Sequence, residues 1–211
     1  MERRDRFALA FIVGGSILTA SVVSAVTFWH APVSAAPQQN AAQLAAARTN
    51  VHPLHETLVI ATGDQLDDGD MPAYLPAALT LPANSTVTIT VVNFDDPTPL
   101  AAGSEQFAIA KGILGPMQIQ ALDTKNPNDT SGAVTTAMSL DPQNGVSHTF
   151  TIPKLGINVP IAPASRVTFT IHTGKAGTYT WQCYDPCGGD PNGWGGAMSD
   201  AGYMRGTLTV V

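Results

Sequence analysis

The sequence predicts an all-β fold, a Greek-key β-sandwich preceded by one N-terminal transmembrane helix. Three observations predict it. The apolar runs are short, rich in Val and Ile, and alternate with Thr, the period-two pattern of half-buried strands. Gly, Pro and Asn punctuate them at short intervals, as in sandwiches and barrels. At the start, Arg3, Arg4 and Arg6 precede Phe7–Trp29, 23 residues without a charge, and about 20 apolar residues span a bilayer as a helix.

The flanking arginines place the N-terminus in the cytoplasm and whatever follows the span outside it. Residues 1–30 are therefore expected to be a cytoplasmic N-terminus and anchor, residues 31–50 a linker, and residues 51–211 an extracytoplasmic domain in a single-pass cell-membrane protein. Val33-Ser34-Ala35 also offers a cleavage site for a signal peptide. Either reading puts the domain where disulfides persist. Ala31–Asn50, rich in Ala, Gln and Pro, carries no recognisable chemistry. With 10 basic and 16 acidic residues and a net charge of −6, the chain lacks the clustered Lys and Arg of a nucleic-acid footprint.

Glu56–Thr62 reads as the first strand. Gly63–Asp70 is turn-rich and acidic, with Asp64, Asp67, Asp68 and Asp70, but lacks the twelfth-position Glu of an EF-hand. Within Leu79–Phe94, Pro82-Ala83-Asn84 makes a turn. Val87, Ile89 and Val91 then alternate with Thr86, Thr88 and Thr90. Pro99–Gly145 is less regular. Gln106–Ala110 is a candidate strand, Asp123–Gly132 a surface loop, and the whole segment an expected insertion over one end of the sandwich. His148–Pro153 is a short strand. Arg166–His172 alternates again, with Val167, Phe169 and Ile171 on one face. Gly177–Gln182 and Gly206–Val211 close the set, for about seven or eight strands.

Between the last two strands lies the stretch with chemistry. It holds the two cysteines of the chain, Cys183 and Cys187, spaced C-x3-C, and continues through a glycine-rich loop to Tyr203-Met204-Arg205-Gly206. A soft-ligand loop between two strands is a way to present copper. No Gly-x-Ser-x-Gly, His-Glu-x-x-His or phosphate-binding glycine loop is present, so the chain reads as a non-enzyme.

Val-Asn-Phe-Asp-Asp, His-Thr-Phe-Thr-Ile-Pro, Lys-Ala-Gly-Thr-Tyr-Thr-Trp-Gln-Cys, the Cys-x3-Cys-Gly motif and Tyr-Met-Arg-Gly-Thr-Leu-Thr-Val-Val together resemble a cupredoxin, specifically the copper domain of cytochrome c oxidase subunit II. The resemblance covers roughly Leu79–Phe94 and His148–Val211. It implies His148, Cys183, Cys187 and Met204 as copper ligands, with Asp185 offering a backbone carbonyl where the family has Glu. It also implies electron transfer or copper handling near a respiratory membrane complex such as an oxidase.

One family ligand is missing. The second His, four residues after the second cysteine, is Pro191 here, and Ala201 stands three before Met204. The loop is longer than the family's, and no His follows Cys187. Three readings stay open. His148, Cys183, Cys187 and Met204 bind one copper as Cu(I), with Met198 able to add a sulfur. Alternatively, Cys183 and Cys187 form a disulfide in a metal-free accessory subunit that docks through the Trp194 loop. In the third, His52, His55 or His172 replaces the missing ligand, although His172 reads more simply as facing solvent.

Overall fold

The computed structural model describes residues 54–69, 71–188 and 192–211, all within a compact unit of residues 46–211. The expected membrane anchor and linker lie outside the described residues. Among those described, no helix is long and apolar enough to cross a membrane.

Among the described residues, eleven strands form two mixed sheets. They are β1 Leu54–Ala61, β2 Ala73–Leu75, β3 Ala78–Leu81, β4 Thr86–Asn93, β5 Met117–Ala121, β6 Val134–Ala137, β7 His148–Ile152, β8 Ile157–Ile161, β9 Ser165–His172, β10 Gly177–Gln182 and β11 Arg205–Val210. The first sheet runs β2-β1-β4-β9-β5-β6 and the second β3-β11-β10-β7-β8. Most neighbouring pairs are antiparallel. β1 with β4 and β3 with β11 are parallel.

Alternation decides which residues fill the space between the sheets. Val87, Ile89 and Val91 of β4 lie opposite Ile171, Phe169 and Val167 of β9, and all six are buried. On the other face, Thr88 meets Thr170 and Thr90 meets Thr168 through their hydroxyls, at 3.2 and 2.8 Å. The second sheet contributes Phe150, Ile152, Trp181, Leu208 and Val210 to the same core. Burying each large apolar side chain stabilises by about 1.5–3 kcal/mol. Pro160 lies in β8, an edge strand of its sheet, where a missing N–H is tolerated.

The segment from Pro99 to Gly145 departs from expectation. Gln106–Ala110 is not a strand, because Glu105–Ala108 forms a 3-10 turn. Asn158 stabilises that turn by donating Nδ2 to the carbonyls of Phe107 and Ile109, at 3.0 and 2.8 Å. The segment does not simply cap one end. Its β5 pairs with β9 and with β6, so it widens the first sheet by two strands. The acidic stretch after β1 starts with a helical turn, Gly63–Leu66, closed by a Thr62–Gln65 capping box.

Gly206 is fixed by close approach. A Cβ there would lie 1.9 Å from the Ala77 carbonyl oxygen and 2.4 Å from Trp181 Cζ2. Since Trp181 is fully buried, neither neighbour has room to yield. Gly206→Ala is expected to lower stability by about 1–3 kcal/mol, read as a lower thermal midpoint of the purified chain.

Candidate metal centre

Three strand ends meet at one end of the sandwich. His148 begins β7, Asp95 follows β4, and Cys183 and Cys187 follow β10. The Cys183 N–H donates to the Met204 carbonyl at 2.9 Å, so the loop leaves and rejoins the sheet at this point.

His148 is fully buried. Its Nε2 is 3.1 Å from Asp95 Oδ2. Its Nδ1 is buried without a hydrogen-bond partner among the described residues. One ring nitrogen and the two cysteine sulfurs all lie within 4.8 Å of one another. Nε2 is committed to Asp95, so Nδ1 is the nitrogen left for a metal. A carboxylate on the far ring nitrogen fixes the tautomer and raises ligand basicity.

Asp95 is itself held in place. Its N–H donates to Asn93 Oδ1 at 3.0 Å, and buried Asn93 donates Nδ2 to the Ala162 carbonyl at 2.9 Å. Asp95 was visible in the sequence only as part of Val-Asn-Phe-Asp-Asp. The signal for its role is its position just past a strand that ends beside the start of β7.

Cys183 is fully buried, and its Sγ accepts the N–H of Thr149 at 3.3 Å and of Asp185 at 3.4 Å. Burial raises its pKa, but the Cys187 thiol, the neighbouring His148 ring and the Thr149 N–H outweigh this and bring the thiol well below its usual value. Cys187, 3.6 Å away sulfur to sulfur, is pushed up by burial and by the charge on Cys183. The pair therefore titrates as a unit in which Cys183 ionises first. Both thiols are free, and their separation is far beyond the roughly 2.05 Å of a disulfide. The disulfide reading is not the state of this structure.

Met204 is fully buried in the core, with its N–H bonded to the Ala197 carbonyl at 3.0 Å. The Met198 Sδ lies 3.4 Å from Cys187 Sγ. The Asp185 carbonyl accepts from Cys183 Sγ at 3.4 Å. Its carboxylate is also buried and unpartnered among the described residues, and burial pushes its pKa to about 8.

Two of the three substitute histidines are placed away from the site. His55 bonds Thr90 Oγ1 on the outer face of β4 at 2.8 Å, His172 is exposed at the end of β9, and His52 lies outside the described residues. Trp194 is 40% exposed. The group fits a soft metal: two thiols, one unpartnered imidazole nitrogen and a neighbouring thioether, the donor chemistry that suits copper.

Burial lowers the His148 pKa, yet the Asp95 hydrogen bond, with Cys183, lifts it to about 9. The imidazolium's contribution to stability is therefore full below the ordinary value of 6.5 and lost as pH rises through about 9. Asp95, pulled below its usual range by His148 against the effect of burial, contributes above its unfolded pKa and loses that contribution as pH falls. In the metal-free chain, Asp95→Asn should lower the His148 pKa, measured by ring-proton NMR titration. Its destabilisation should fade above about pH 9.

No protein-family model matches the chain, and no curated protein matches it. Among solved structures, the chain is similar to auracyanin B at 17% identity and a TM-score of 0.34, covering 77% of this chain and 92% of that one. Auracyanin A, a "blue" copper protein from the green thermophilic photosynthetic bacterium Chloroflexus aurantiacus, is similar at 17% identity and a TM-score of 0.34, covering 75% and 99%. A laccase from Pediococcus acidilactici is similar at 13% identity and a TM-score of 0.36, covering 77% of this chain and 28% of that one. At these scores the likenesses decide nothing about the site, which stands on its own geometry.

Proposed function

We propose that this chain is a cupredoxin-like copper protein that transfers single electrons, with His148, Cys183 and Cys187 as the ligands the metal needs. The observation that carries the reading is the unpartnered Nδ1 of His148, buried beside two unbridged thiols. A buried polar atom without a partner is costly, and a metal ion would satisfy it. Bound copper would supply one-electron chemistry.

The chain's own residues prepare the site. Asp95 holds the His148 ring through Nε2, and two backbone N–H groups hold the Cys183 sulfur as thiolate. Full burial of His148 and Cys183 keeps substrate and water from these ligands, which favours electron transfer over substrate conversion. The same burial slows ligand exchange and so favours electron transfer over copper delivery. Beside Cys183, the Tyr184 ring stacks on Phe107 at 4.6 Å and 12°, a partly buried aromatic pair suited to contact with a redox partner. In this reading Phe7–Trp29 anchors the protein, the domain lies outside the cytoplasm, and the partner is a respiratory membrane complex.

Titration of the full chain in detergent with copper under reducing conditions tests the proposal. One copper per chain is expected, lost in Cys183→Ser. Binding must displace the protons held by His148 and by the Cys187 thiol, so apparent affinity should rise with pH through about 9 and keep rising above it. Absence of binding, with a mass short of the dithiol by its two thiol hydrogens, would instead indicate a metal-free accessory subunit.

A further inference from the structure

We infer that Met198, carried by the inserted loop, is the fourth donor of the metal centre and takes the place of the missing second histidine. The inference rests on the copper reading above.

Met198 is 2% exposed, and its Sδ lies 3.4 Å from Cys187 Sγ. A methionine in a long glycine-rich loop has no reason to be buried unless the loop folds back, and the loop does so through specific contacts. The Gly188 N–H donates to the Gly193 carbonyl at 2.8 Å, and the Met198 N–H to the Gly195 carbonyl at 3.1 Å. The Met204 N–H donates to the Ala197 carbonyl at 3.0 Å. Two glycines make the closure possible. A Cβ on Gly188 would stand 2.9 Å from Met198 Cγ and 2.2 Å from the Gly195 carbonyl oxygen. Gly193 has φ +78, and a Cβ there would stand 2.3 Å from the Pro186 carbonyl oxygen. The residues that lengthen the loop thus lay a thioether over the second cysteine.

The resulting set is one imidazole nitrogen, two thiolates and one thioether. Three sulfurs and a single nitrogen favour the softer monovalent ion, so Cu(I) should bind in preference to divalent copper. Met204 keeps the loop's return tied to β10 through its carbonyl bond to Cys183.

The test uses the full chain in detergent with Cu(I) in competition with a chromophoric Cu(I) chelator, comparing wild type, Met198→Leu and Met204→Leu. Leucine keeps the apolar volume and removes the sulfur. Loss of an outer-shell partner of a ligand costs about 10–100-fold in metal affinity, so loss of a direct ligand should cost Met198→Leu at least tenfold, with Met204→Leu much less affected. Independently of any variant, 13C-methyl NMR of the wild type should show the Met198 methyl signal shifting on addition of Cu(I), while that of Met204 moves little. Unchanged affinity in Met198→Leu, or a shift confined to Met204, overturns the assignment and leaves the copper reading intact. No Cu(I) uptake by the wild type overturns both.

Discussion

Cys183 is gripped by backbone from two sides, and the arrangement of the site follows from that grip. Its own N–H reaches Met204 at the start of β11, while its sulfur accepts the N–H of Thr149 on β7 and of Asp185 in the loop. The two strands beside β10 in its sheet therefore fix one sulfur atom. A thiolate with two amide donors is stabilised without any nearby lysine or arginine. His148 precedes Thr149 in the chain, so the register that delivers the Thr149 amide to sulfur also delivers the imidazole.

Charge at the site is kept low by burial. Asp185 and Cys187 are both raised, and the phenol of Tyr74, 6.5 Å from His148 between ring centres, is raised by burial and by the thiols. The groups whose charged forms the metal-free site favours are the Cys183 thiolate, the His148 imidazolium and the Asp95 carboxylate. Each is hydrogen-bonded, the condition under which buried charges are tolerated. Metal binding would exchange the protons of the His148 ring and the Cys187 thiol for a cation.

The strands were legible where one face is apolar and the other threonine. β4 and β9 follow their alternation residue by residue, because Val87, Ile89 and Val91 have core on one side and the Thr ladder on the other. β5, β6 and the turn at Glu105–Ala108 were not, since their packing is decided by side chains distant in sequence, such as Asn158. Within the site, Cys183 and Cys187 were readable from spacing and residue type, and His148 only through the family resemblance of its His-Thr-Phe motif. Asp95 was hidden because its function depends on β4 and β7 ending side by side. The roles of the two methionines could not be separated by spacing. The loop's glycines allow the fold that brings the Met198 thioether to Cys187, and their turn geometry is a three-dimensional property.

The most direct test is X-ray absorption at the copper edge on the full chain loaded with one equivalent of Cu(I). The account predicts a first shell dominated by sulfur, with two thiolates and one imidazole nitrogen per copper. A shell of nitrogen and oxygen alone, or with a single sulfur, would contradict the convergence of His148, Cys183 and Cys187 on one ion.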